Sequence, residues 1–136
     1  ASRAQGRATV RAGRAAWPSP LLDALVKATP RPHHAVILGA LTGIAGGAAP
    51  DAALTAAYLS VSGPASAAVR LLGLDPFAVN AEVTRLDGPM RAVADRAVAS
   101  AGLPPADLPA PGAPGLDLLA EAHVRHHKEE VRLFAS

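Results

Sequence analysis

The stretch from Tyr58 to Pro76, YLSVSGPASAAVRLLGLDP, limits what this chain can fold into more than any other part of it. No charged side chain occurs from Ala52 to Val69, and Arg70 is the first to follow. A helix this poor in charge has no polar face to give to water, so it needs apolar partners on most of its circumference. The arginine at its end needs a carboxylate, a carbonyl or water. That is the pattern of a packing and assembly element, not of a reaction centre. The span is also nearly long enough to cross a bilayer. Thr55, Ser60, Ser62, Ser66 and the Gly63-Pro64 pair, set among alanines that contribute little to insertion, favour a helix buried in protein instead.

The rest of the chain supports an all-α reading. Its 136 residues make one domain of modest core by the usual size relation. Half of them are hydrophobic but only 3% are aromatic, and much of the remainder is alanine. Such a composition favours helices whose backbones pack closely. The formal charge of +2 and a pI of 9.7 are too weakly basic to argue for nucleic acid. With no cysteine, disulfides, thiolate zinc sites and cysteine nucleophiles are excluded. No signal peptide is expected, since Arg3, Arg7, Arg11 and Arg14 are not followed by an apolar run. The chain begins without methionine and reads as a fragment or a trimmed product.

A single-domain bundle of about five or six helices is expected from the periodicity. The first spans 2–16, with its arginines along one face, and WPSP at 17–20 stops it. A short helix over 21–28 and an extended link through Pro30 and Pro32 follow. His33 or His34 opens the next helix, where Gly39 and Gly43 would let another helix approach closely. The long apolar helix starts at Pro50-Asp51, with a kink expected at Gly63-Pro64. Asp75 and Pro76 form a cap and a first turn. One helix is then expected over 76–100, interrupted at Gly88-Pro89, with Val79, Val83, Leu86, Met90, Val93 and Ala97 as one apolar stripe. Residues 102–115 read as a mobile proline-rich linker, and 116–136 as a last helix with an apolar tail.

Catalytic arrangements are scarce. There is no G-x-S-x-G elbow, phosphate-binding loop or H-E-x-x-H, and the acids read mainly as helix caps and solvated faces. His123, His126 and His127 are the strongest metal candidates, because positions four apart on a helix can face one ion. Arg125 and Lys128 beside them disfavour a dication. A basic helical nucleic-acid-binding module built on the first helix is an alternative, weakened by the lack of aromatic residues to stack bases. Tyr58 and Arg70 fit either a satisfied core or an interface, where Tyr and Arg are enriched. The tail Val131 to Ser136 puts Leu133 and Phe134 at the end of the chain, a pattern of docking onto its own domain or a partner.

Several segments together resemble the urease accessory protein UreF family in its actinobacterial form: ASRAQGR at 1–7, RAAWP at 14–18, RPHHAVILG at 31–39, SGPASAAVRLLGLDP at 62–76, LDLLAEAH at 116–123 and the closing RLFAS. They occur in the family's order. The family's opening, a leucine-rich segment before Asp-Ser-Arg-Leu-Pro-Thr-Gly-Gly, has no counterpart here, so the resemblance covers the C-terminal two-thirds. It implies an all-α, non-catalytic cytoplasmic protein, without cofactor. It also implies binding to UreD (UreH in some species), to the GTPase UreG and to the urease apoprotein, a homodimeric state, and a part in nickel insertion by gating GTP hydrolysis. Arg132, Leu133 and Phe134 match the family's C-terminal segment, which looks like a UreD-docking element. Tyr58 and Arg70 match its long-helix interface motif.

Overall fold

A computed structural model describes residues 2–109 and 114–128. Among them are seven α-helices, one short 3-10 turn at Pro105–Asp107 and no strand: α1 Ser2–Ala16, α2 Pro20–Ala28, α3 His34–Ile44, α4 Ala49–Leu72, α5 Pro76–Arg85, α6 Asp87–Ser100 and α7 Pro114–Lys128. The protein is all-α, as its composition implies. The chain divides into two units, Ala1–Gly102 and Leu103–Ser136, and the boundary falls at the start of the expected linker.

In the first unit, α1 packs on α3, α3 on α4, and α4 on α5 and α6, with α2 against α3. The core lies where α1, α2 and α3 meet. Val10, Leu22, Ile37 and Leu41 are buried there, flanked by Leu25, Val26 and Ile44. Pro32 is fully buried beside them. The buried face of α1 is Gly6, Val10 and Gly13, which recur at four and three residues and put one stripe against α3.

Glycine is what brings α1 so close. A Cβ on Gly6 would overlap the carbonyl oxygen of Pro32 and lie 3.1 Å from His33 C and 3.2 Å from His34 N. A Cβ on Gly13 would sit 2.5 Å from Leu41 Cδ2. Polar contacts lock the same junction. Ser2 Oγ accepts from the His34 N–H at 3.3 Å, and Arg3 donates to the Arg31 carbonyl. Thr9 Oγ1 donates to Gln5 O at 2.9 Å and lies 2.9 Å from His34 Nδ1. The close approach expected at Gly39 and Gly43 is not made, because nothing lies within 4 Å of a Cβ at either.

Local chemistry sets the helix ends. Asp51 Oδ2 accepts the Ala48 N–H at 2.7 Å, one half of a capping box at the start of α4. Gly73, at φ +64°, takes the left-handed conformation that ends α4. Asp75 Oδ1 then accepts the Phe77 N–H at 3.0 Å and caps α5, an interaction of about 1 kcal/mol. Helix α4 runs without interruption through Pro64.

Two expectations are corrected here. The break after α5 falls at Leu86, ahead of Gly88-Pro89, and Pro89 sits in the first turn of α6, where its missing N–H costs nothing. Met90 and Ala94 are the buried residues of α6, while Leu86 and Val93 are exposed. The long helix α4, expected to be buried, has no buried residue. Its neighbours α3, α5 and α6 leave it half-buried on one side and open on the other.

Candidate interaction surface

The open side of α4 and the corner that follows it carry a run of exposed apolar side chains. Leu71, Leu72, Leu74 and Phe77 are all exposed around the α4–α5 turn, Phe77 at 83%. Local chemistry shapes the turn. Gly73 reverses the chain, Asp75 caps α5, and Pro76 fixes the backbone just before Phe77. The second residue of a helix has no obligation to face the core, and here it holds an aromatic ring out from a fixed backbone. Nothing in the apolar periodicity marked Phe77. The signal was an aromatic residue directly after an Asp-Pro cap.

Arg70 is exposed in the last turn of α4, next in the chain to this corner, where a cation suits the negative end of the helix. It makes no ion pair or hydrogen bond among the described residues, unlike Arg14 with Asp23, Arg85 with Glu82 and Arg91 with Asp87. Hydrogen bonding to Asp87 and the attraction of that carboxylate hold the Arg91 guanidinium above its ordinary pKa range. Arg70 shares its face of α4 with Leu59, Gly63 and Ser66, all exposed. Tyr58 is half-exposed at 48%. It stands about 18 Å along the helix from Arg70 and roughly 120° around it, so the two residues do not form one cluster.

The remaining candidates are placed as follows. His123 is exposed on α7, where Glu121 is taken up by Arg125 at 3.3 Å. His126 and His127 lie on α7, but their side chains fall outside the described residues. Among the described residues no group of three histidines, cysteines or acids is placed to hold a metal. Arg132, Leu133 and Phe134 lie outside the described residues. On α1, Arg3 and Arg14 are committed to Arg31 and Asp23, which leaves Arg7 and Arg11 of the expected basic face. Helix α4 is long and apolar enough to cross a membrane by length and composition.

The fold defines a helical protein that presents an exposed apolar corner after its longest helix. The family is specific: the model of the UreF family matches residues 1–87, and the chain belongs to that family. It is 44% identical over 137 residues to a urease accessory protein UreF of Mycolicibacterium vanbaalenii. It is 40% identical to those of Mycobacterium sp. strain JLS and of Mycobacterium tuberculosis H37Rv. Each match takes in the whole of this chain but 58% of the relative, somewhat less than the two-thirds expected. No solved structure matches the chain.

Proposed function

We propose that this chain acts in urease maturation as a non-catalytic scaffold. It binds UreD (or UreH) and the GTPase UreG in the cytoplasm, as a homodimer, and helps nickel enter the urease apoprotein by gating GTP hydrolysis. The observation that carries this reading is the exposed corner Leu71–Phe77 on the open side of α4, in a chain of the UreF family. An exposed aromatic residue, with the unpaired Arg70 close to it in the chain, supplies residue types that are enriched at protein interfaces. Alanine and serine along α4 suit close contact with protein, so the helix is read as protein-facing and not as a bilayer span.

The mechanism is differential binding. A scaffold that favours one nucleotide state of UreG shifts that equilibrium only by the difference in its affinity for the two states. No general acid or base of its own is required. Tyr58 and Arg70 contribute to the helical interface, and the tail Arg132, Leu133 and Phe134 docks on UreD.

The tail assignment is tested by removing residues 131–136 from the full-length gene product and titrating it against UreD. The expected result is a loss of affinity of about tenfold or more, the effect of a single truncated anchor worth more than 1 kcal/mol. Unchanged affinity would remove the tail from the UreD interface.

A further inference from the structure

Charge is divided unevenly along the chain. Residues 1–50 hold six arginines and lysines and one acid, Asp23, a net charge of +5, whereas residues 51–136 hold seven against ten, a net charge of −3. Helix α1 carries Arg3, Arg7, Arg11 and Arg14 and no Asp or Glu. Their spacing puts the four arginines along one face, beside the buried stripe of Gly6, Val10 and Gly13. The two at the ends tie the helix down: Arg3 donates to the Arg31 carbonyl, and Arg14 pairs with Asp23 at 2.8 Å. Arg7 and Arg11 lie between those ties, exposed and with no partner among the described residues. Lys27, on the segment that joins Asp23 to Arg31, is exposed and unpartnered too. A solvated helix face mixes its charges, and other helices of this chain do so. Arg85 has Glu82, Arg91 has Asp87 and Arg125 has Glu121, each one turn away. Arginines four apart with no acid among them repel one another and destabilise their helix. A local arrangement that works against the fold points to a surface whose complement lies outside it.

We propose that the patch of Arg7, Arg11 and Lys27 docks an acidic helix of a partner protein. The surface lies on α1 and α2, apart from Arg70 and Phe77, so the inference goes beyond the role proposed above without depending on it. A guanidinium group binds a carboxylate through two parallel N–H···O bonds. Arg7 and Arg11 stand about 6 Å apart along the helix axis, which is also the spacing of two acids one turn apart on a facing helix. The limited extent of the patch disfavours nucleic acid. A duplex carries a charge every ~1.7 Å, so its backbone would run on past α1 and meet the rest of the unit. There, over residues 51–102, five acids outnumber four arginines. Helix α1 also has no aromatic ring among its arginines on which a base could stack.

The test uses the full-length gene product. The probe is a fluorescein-labelled, alanine-based helical peptide with glutamate at every fourth position, and the same peptide with glutamine is the blank. Fluorescence anisotropy is read at low salt, where surface charges are little screened. The parent should bind the glutamate peptide and not the glutamine peptide. Arg7→Gln, Arg11→Gln and Lys27→Gln together should weaken binding at least about tenfold. The same loss of charge at Arg85, Arg91 and Arg96, all exposed on α5 and α6, should change it by less than about twofold. The first variant should also melt no lower than the parent. Glutamine is as good a helix former as arginine or lysine, and the repulsion between positions 7 and 11 is gone. Three results overturn the proposal: no binding of the glutamate peptide, an equal loss in both variants, or a lowered melting temperature in the first. Tighter binding of a short random-sequence DNA duplex or of phosphatidylserine vesicles than of the peptide also overturns it, in favour of nucleic acid or a lipid surface.

Discussion

Gly6→Ala is expected to lower the melting temperature by about 10 °C, although alanine is the better helix former. In the helix interior the exchange is worth up to about 1 kcal/mol in favour of alanine. Against it stands the new methyl group, which would overlap the Pro32 carbonyl and press on His33 C and His34 N. All three are backbone atoms, so no flexible side chain can swing aside. Overpacking of this kind costs roughly 1–3 kcal/mol. Moving α1 outward to relieve it also strains the bonds from Ser2 and Thr9 to His33 and His34. The net loss is about 2 kcal/mol, and each kcal/mol is worth about 4–8 °C in a domain of this size. Two controls fix the sign. Gly13→Ala meets the flexible end of Leu41 and should cost less, while Gly39→Ala meets nothing within 4 Å and should stabilise. Thermal melts of the three variants decide the matter, and a Gly6→Ala protein as stable as Gly39→Ala would contradict the packing described for α1.

Phe77→Asp is expected to weaken UreD binding by about thirtyfold or more while leaving the fold unchanged. The ring is 83% exposed, so its loss removes little from the core of the chain. Truncation of an aromatic anchor at the centre of an interface typically costs 2 kcal/mol or more, and a carboxylate placed against an apolar partner adds its desolvation. The backbone bond from the Phe77 N–H to Asp75 survives the change, so the α5 cap is kept. Circular dichroism and melting temperature should match the parent, and titration calorimetry with UreD should show the loss. Parent-like affinity would show that the α4–α5 corner faces something other than UreD.

Much of the helix plan was legible because it is written in local chemistry. Asp75-Pro76, Pro20, His33-His34 and Gly73 act within one turn of themselves, and each begins or ends a helix where its conformational preference puts it. The features that position the candidate site were not legible, because they depend on which helix meets which. The sequence reading singles out Gly39 and Gly43 of α3 for close approach and passes over Gly6 and Gly13 of α1. Only contact with the Pro32 to His34 backbone and with Leu41 distinguishes Gly6 and Gly13 from the bare Gly39 and Gly43. The stripe from Val79 to Ala97 presumes one helix with one buried face, whereas the chain breaks at Leu86 and α6 buries Met90 and Ala94 and leaves Val93 exposed, an outcome set by the helices it meets. Helix α4 read as buried because its composition shows that it needs partners, not whether α3, α5 and α6 suffice to supply them. Phe77 escaped notice because exposure of an aromatic residue is a property of the assembled corner.

The central claim is that this protein works by contact within the urease assembly, and co-purification with UreD followed by light scattering tests it most directly. The full-length gene product should elute with UreD as one stoichiometric complex, with a mass corresponding to two copies of each. Elution of the two proteins apart, across the concentration range of the experiment, would contradict the scaffold role.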